Sequence, residues 1–494
     1  MSRSWLRSRS FKTVRWVLSV LTITFQLSPI AMSSEGGDRI AIVGGTLIDG
    51  TGAKPLEDSI VIIQGKRILA VGSSNDIEVP KGAHLIEAHG QYVIPGLMDA
   101  NVHLFRDVSI EFIARYEGRF EDLIEEAAQI SLKQGLTSVF DTWGPLQSLM
   151  NVRDRIDQGH VVGSRIFAAG NIVGFSGPFG REFNVTASWT ASDEFVKRVN
   201  KLFTENVGPE LLWMTPDQVG LEIKKYIGLG IDFLKYGASA HDCTGCSGFP
   251  QPLGLNSMLM FSPAVQEIIV DASHEAGITV QSHSSSVESL RLALAAGVDL
   301  LQHASETGPT PIPDSTIRLM VEKGVYAAEL PRTQNRLKFE LENPELLHRP
   351  REHTRILEEN LIRLIQAGVS IVMATDSGVS NPVKTEVEAS NQDFGAEHPE
   401  ELGEAHFLWF HAMQSKGMEP MEMLLAATRN VAAAYGKLNS LGTIEKDKLA
   451  DLVILGGNPL QDVANYRKIR GVVKGGVLVD RATLPIQRVL TSRR

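Results

Sequence analysis

Short runs of β-branched and apolar residues alternate with longer amphipathic segments through the middle of the chain. Several of the runs end in one polar residue able to bind a metal. In Ile94-Pro-Gly-Leu-Met-Asp-Ala-Asn-Val-His-Leu-Phe105, an apolar lead-in carries Asp99, Asn101 and His103 to one strand end. Alternate residues of a strand share a face. Asn101 and His103 therefore point the same way, as two ligands of one ion must, while Val102 faces the other side and packs. Four later runs repeat the design: Ile231-Asp-Phe-Leu-Lys235, Thr279-Val-Gln-Ser-His283, Val298-Asp-Leu-Leu-Gln-His303 and Ser370-Ile-Val-Met-Ala-Thr-Asp376. Helical patterns with charged faces separate them, over 262–276, 287–296 and 352–367.

Strands and helices alternating at this interval argue for a parallel sheet. Over about 250 residues or more its natural closed form is a (β/α)8 TIM barrel, an α/β fold that works at the C-terminal ends of its strands. All five runs place their polar residue there. The chain has 494 residues, more than a bare barrel needs. Residues 35–93 and 441–494 read as short alternating strands with Gly turns, each too small to bury a core alone. The expected organisation is a barrel over 94–440 and one small β-sandwich domain built from the N- and C-terminal segments. Residues 1–34 form a signal peptide or N-terminal anchor ahead of both.

Taken singly, each polar residue has an ordinary explanation: a lone His is more often a core or surface histidine, and Asp376 before Ser377-Gly378 fits a turn. Together they resemble the amidohydrolase superfamily of metal-dependent barrel hydrolases, in its prolidase- and imidazolonepropionase-like branch. The resemblance runs from about Ile40 to Pro485. It is carried by PGLMDANVH, the lysine in DFLKYGAS, the histidines in VQSHSSS and LLQHAS, the aspartate in MATDSG, and the late stretches EAHFLWFHAMQSKGMEPMEMLLAATRNVAAAYG and LGTIEKDKLADLVILGGNPLQDV.

The resemblance implies one or two divalent ions, zinc in the first instance. It makes His103 a ligand of the more buried ion and Lys235 a bridging ligand after N6-carboxylation. His283 and His303 would hold the more exposed ion, and Asp376 would bind metal and take a proton from the bridging water. The chemistry is consistent, because a divalent ion lowers the pKa of its water to about 7 and polarises a carbonyl. A neighbouring carboxylate can act as general base and later return the proton to the leaving amine. A free ammonium cannot ligate, so Lys235 must become an anionic carbamate; the alternative is a lysine paired with a barrel carboxylate.

Asn101 departs from the superfamily pattern, which has a first histidine there. An amide oxygen is a harder and weaker donor than imidazole. Two ions with altered affinity, one ion, or lost catalysis are the three outcomes. The Asn-x-His variant is similar to that of a phenylurea and thiocarbamate hydrolase subgroup, which cleaves the C–N or C–S bond of small xenobiotics. Survival of the other five positions argues against lost catalysis.

Substrate choice falls to the loops after the strands. Tyr236 and Arg332 are candidates to hold a substrate carboxylate or carbonyl, with structural hydrogen bonding as the alternative. The Gly-rich loop 171–183 lacks a following Lys-Ser/Thr and reads as a lid or substrate wall, not a phosphate loop. The two cysteines, Cys243 and Cys246, lack the second pair a structural zinc needs. In a reducing compartment they are free thiols or a redox pair; after export they would close a small disulfide.

The order of a basic segment (Arg3 to Arg15), a short apolar run (Trp16 to Ile30) and a small-residue segment is that of a secretory signal. It predicts export to the periplasm or the medium, with an uncleaved anchor or a mistaken upstream start as alternatives. A formal net charge of −10, with no basic cluster beyond that segment, argues against nucleic acid as a partner. His398, His406 and His411 are expected to be loop or packing residues.

The expectation is a metal-dependent amidohydrolase cleaving a C–N bond of a small amide, dipeptide, urea or carbamate-like substrate with metal-bound hydroxide, in a homo-oligomer. A deaminase or lactone/ester hydrolase on the same site, and an inactive small-molecule-binding barrel, are the alternatives.

Overall fold

The computed structural model describes residues 39–184, 186–240, 259–345, 350–379 and 397–491. The basic and apolar N-terminal runs, Cys243 and Cys246 lie outside the described residues. Among the described residues no helix is long and apolar enough to cross a membrane.

The first part of the chain gives β1 (Arg39–Leu47), β2 (Leu56–Gln64), β3 (Arg67–Ser73), β4 (His84–Glu87) and β5 (Tyr92–Pro95). Eight further strands follow: β6 (Leu97–His103), β7 (Leu136–Asp141), β8 (Arg165–Ala168), β9 (Leu234–Gly237), β10 (Val280–His283), β11 (Leu300–Gln302), β12 (Tyr326–Glu329) and β13 (Ser370–Met373). The chain closes with β14 (Ser377–Gly378), β15 (Leu452–Leu455), β16 (Ile469–Lys474) and β17 (Val477–Leu478).

Strands from the two ends share one sheet, in the order β17-β16-β15-β5-β1-β2-β3 with β4 beside β1. The join is the antiparallel pair β15/β5, with Leu452 opposite Pro95 and Leu455 opposite Tyr92. One face of this sheet buries Ile42, Val61, Ile63, Leu452, Ile454 and Val473 as a cluster of its own. Each large side chain so buried contributes about 1.5–3 kcal/mol, and neither segment could assemble that face alone.

The middle strands form two parallel sheets, β14-β6-β7-β8 and β9-β10-β11-β12-β13, so spatial order follows chain order. Regular pairing stops between β8 and β9 and between β13 and β6, where a few backbone bonds carry the contact. Asp232 donates to the Ala168 carbonyl (2.9 Å), Val173 to that of Lys235 (2.9 Å), and Asp376 to that of Asn101 (2.8 Å). The intervening helices fall where the periodicity predicts them, at Pro263–Glu275, Val287–Ala296 and Arg351–Gln366. Ser262 and Ser286 cap the first two by accepting from the N3 amide.

Met98, Ala100, Phe140, Phe167, Phe233, Leu300, Ala328 and Val372 form an apolar plug that strands of both sheets share. Tyr435 completes it, stacked on Phe140 at 3.9 Å with its hydroxyl donating to the Ala100 carbonyl (2.6 Å). The pairing of β6 with β7 slips between Asp99 and Val102. Met98 and Ala100 belong to the plug, whereas Val102 packs in the other cluster among the helices. The slip therefore reverses which parity faces inward, as a bulge does, and so re-aims Asn101 and His103.

Candidate metal and catalytic centre

Five of the six predicted ligands stand at or just beyond the C-terminal end of a parallel strand, and Lys235 lies within β9. Asn101 and His103 close β6, His283 closes β10, His303 follows β11 and Asp376 follows β13. His303 and Asp376 both adopt left-handed backbone, at φ 57° and 55°. L-residues seldom hold that conformation without a surrounding structure that enforces it. At Asp376 the enforcement is visible. Its amide donates to the Asn101 carbonyl, and the preceding Thr375 is fixed by Asp99, whose carboxyl accepts from the Thr375 amide (3.2 Å) and hydroxyl (2.6 Å).

His103 Nε2 lies 2.8 Å from Asp376 Oδ1, and its Nδ1 donates to the Trp143 carbonyl at 3.2 Å. Both ring nitrogens face oxygen atoms, which fixes the orientation of the ring. Burial acts to raise the Asp376 carboxyl. The charge and hydrogen bond of His103, with His303 and Lys235 beyond, outweigh it and hold Asp376 well below the usual carboxylate range. Asp376 is therefore ionised at neutral pH. It lines a polar cavity of about 230 Å³ together with His283, His303, Ser285, Glu306, Arg332 and the outer group Arg106, Arg336 and Glu400. The rings of His283 and His303 meet edge to face at 5.1 Å, and Phe175 leans on His283 at 5.4 Å.

Lys235 is 1 % exposed, and among the described residues no carboxylate lies within ion-pair distance of it. Its ammonium donates to Thr142 Oγ1 at 3.1 Å. Burial lowers its pKa to about 8, against the raising influence of Asp376 and Asp141. Thr142 in turn donates to Asn101 Oδ1, and Asn101 Nδ2 is buried with no hydrogen-bond partner.

Tyr236 is placed differently from the expectation. It follows Lys235 on β9, and successive side chains of a strand point to opposite faces. Its hydroxyl donates to Gln266 Oε1 (2.9 Å) in the helix that packs outside the strand, and it does not line the cavity. Arg332 does line the cavity, 7 % exposed, with its guanidinium near Glu340 (3.3 Å). Of the loop 171–183, Phe183 stacks on Trp143 at 4.1 Å and Phe175 reaches His283, which makes it a wall of the site. A Cβ on Gly177 would come within 2.4 Å of the Asn200 backbone, so this wall needs glycine there. His406 is a packing residue, bonded to the Gln134 carbonyl and pushed down to about 3 by burial. His411 is exposed.

Asp141 and Thr142 were not singled out by the sequence. Asp141 closes β7, is fully buried, and is pushed up to about 8 by burial despite the Leu104 and Trp143 amides and Lys235. Burial similarly raises Asp99 to about 7 and Glu329 to about 8. Glu329 closes β12 and accepts from the amide and hydroxyl of Ser305, two residues after His303.

Among the described residues, no three side chains of His, Cys, Asp and Glu close round one point as a metal site. His103, His283, His303 and Asp376 are donors of the kind divalent ions take. Among the described residues Lys235 has no carboxylate within ion-pair distance, and a carbamate on it would add an anionic donor. The donor chemistry fits divalent ions on that condition.

The model of the amidohydrolase family matches residues 251–479. A solved molinate hydrolase structure is 38 % identical, covering 92 % of this chain and 98 % of that one with a TM-score of 0.85. The crystal structure of phenylurea hydrolase B is 35 % identical, covering 92 % and 100 %, also at 0.85. Ochratoxinase from Aspergillus niger is 24 % identical over 476 residues, 93 % of this chain and 90 % of that protein. The chain belongs to the amidohydrolase family. It is a hydrolase acting on carbon–nitrogen bonds.

Proposed function

We propose that this chain hydrolyses a C–N bond of a small amide, dipeptide, urea or carbamate-like substrate in the cavity above Asp376. Asn101, His103, Lys235 as its N6-carbamate, His283, His303 and Asp376 would hold one or two divalent ions, zinc first among them. The supporting observation is the position of Lys235, buried near an ionised Asp376 and, among the described residues, with no carboxylate within ion-pair distance. Divalent ions bound there would acidify a water and polarise the substrate carbonyl.

The remaining work belongs to the protein. Asp376, held ionised and in fixed backbone, accepts a proton on its carboxylate and can return it to the departing nitrogen. His103, oriented through Nδ1 by the Trp143 carbonyl, would present Nε2 to an ion. Arg332, half of a buried ion pair on the cavity wall, is placed to receive a substrate carboxylate or carbonyl. Phe175, Phe183 and Trp143 exclude water from the side facing the loop 171–183.

Around this site, the two parallel sheets would close as one (β/α)8 barrel over 94–440. The sheet of residues 35–93 and 441–494 would fold over as a small sandwich. Export, with 1–34 as signal or anchor, a disulfide between Cys243 and Cys246, and assembly into a homo-oligomer belong to the same reading.

The test is product analysis. Purified protein is incubated with panels of dipeptides, N-acyl amines, ureas and carbamates, and amine release is followed by mass spectrometry before and after chelation and zinc return. The reading predicts release in at least one panel, lost on chelation, restored by metal and absent from Asp376→Asn. Release unaffected by chelation and by that substitution would overturn it.

A further inference from the structure

The chain of contacts Lys235–Thr142–Asn101 has a direction. An ammonium is donor only, so the Thr142 hydroxyl must accept from Lys235 Nζ. Its single proton then goes to Asn101 Oδ1. The amide oxygen is spent on Thr142, and the amide nitrogen is left buried without an acceptor. In this state the free end of the Asn101 amide is an N–H2 group, which repels a cation.

Carboxylation of Lys235 leaves one N–H on Nζ and adds two acceptor oxygens beside it. The ammonium loses one proton to solvent, and the amine lone pair attacks the carbon of carbon dioxide. A C–O π pair moves onto oxygen, and a second N–H proton leaves. Ammonium plus carbon dioxide becomes carbamate plus two protons, and the side chain passes from +1 to −1. With a carbamate oxygen turned to Thr142, the hydroxyl donates toward Lys235. Its lone pair is then open to a donor on the other side. Rotation of the Asn101 amide by half a turn supplies Nδ2 to Thr142 and puts Oδ1 where the unpartnered nitrogen stood. All three groups are then satisfied, provided a cation meets Oδ1.

We propose that Thr142 is a positioning residue whose hydroxyl couples carboxylation of Lys235 to the turning of Asn101 into a metal ligand, so that the amide takes the place of a histidine only when the carbamate is present. The inference rests on the metal-dependent reading above, and goes beyond it in giving a non-ligand side chain control of metal loading. Thr142 is fully buried, with its amide donating to the Val102 carbonyl, so its hydroxyl has no solvent to serve it instead.

The experiment uses full-length protein supplied with zinc and ¹³C-bicarbonate, and reads the carbamate carbon by NMR and zinc per chain by elemental analysis. Thr142→Val keeps the shape and removes the hydroxyl. It should weaken zinc binding about 10- to 100-fold, as loss of a partner behind a ligand does, with a matching loss of carbamate signal. Thr142→Ser should restore both. Asn101→Asp offers an oxygen on either side and needs no rotation, so Thr142→Val in that background should change zinc binding less than threefold, whatever its effect on stability. Full carbamate and zinc in Thr142→Val, or an equal loss in the Asn101→Asp background, would overturn the coupling while leaving the metal reading intact. A wild-type protein with neither carbamate nor zinc would overturn both.

Discussion

His103 and Asp376 stand 273 positions apart in sequence, yet Nε2 of one lies 2.8 Å from Oδ1 of the other. The contact ties the end of β6 to the end of β13, one of the two places where regular strand pairing lapses. Both are proposed ligands of an ion at this site, and Asp376 alone is also the proposed base. Their roles separate on that point.

Asp376→Asn keeps an oxygen in place but removes the base. Turnover should fall by about 10²–10⁴ while bound metal stays near the wild-type level. His283→Ala with His303→Ala should instead deplete metal first. Steady-state rates measured beside metal content on the same samples separate the two; equal activity in both variants contradicts the assigned roles.

Asn101→His should tighten metal binding at the buried position, since imidazole is a stronger donor than an amide oxygen. Competition with a chelator of known affinity reads the change. Unaltered affinity would place Asn101 outside the set of ligands.

Arg332→Met should raise KM about tenfold for substrates carrying a carboxylate and leave neutral ureas unaffected, with kcat changed little in either case. Glu340 keeps Arg336 at 2.8 Å, so the fold should tolerate the change. A uniform loss across charged and neutral substrates would assign Arg332 to structure.

Glu329 gives a pH dependence with a definite sign. Its folded pKa, about 8, lies above the ordinary 4.5, because burial outweighs the Ser305 donors. Between those values the native state holds a proton the unfolded chain has lost. Stability therefore falls as pH rises from about 4.5 to about 8 and levels off above. Glu329→Gln cannot ionise, so its Tm relative to wild type should climb across that window, by the equivalent of a few kcal/mol at most. A constant difference from pH 5 to pH 9 would contradict a protonated Glu329.

What the sequence disclosed follows from what its physics constrains. Strand ends that finish a largely apolar run were legible, and Asn101, His103, Lys235, His283, His303 and Asp376 lie on or just after the strands their runs predicted. Asp141 ends the comparable run Leu136-Thr-Ser-Val-Phe-Asp141, but it does not belong to the motifs that carry the resemblance. Thr142 carries no chemical signature of its own; its importance comes from which two side chains it lies between. The outward placement of Tyr236 was derivable, because a strand that turns Lys235 inward must turn its neighbour out. The slip in β6 that re-aims Asn101 and His103 was not derivable, since it depends on register with β7.

Metal per chain, by elemental analysis of protein made without chelators and with bicarbonate present, tests the central claim most directly. The account predicts one or two zinc or similar ions per chain, about two where both positions fill, together with a mass increase on Lys235 equal to one carbon dioxide. Protein that holds no stoichiometric metal, and takes up none when zinc and bicarbonate are supplied, would contradict it.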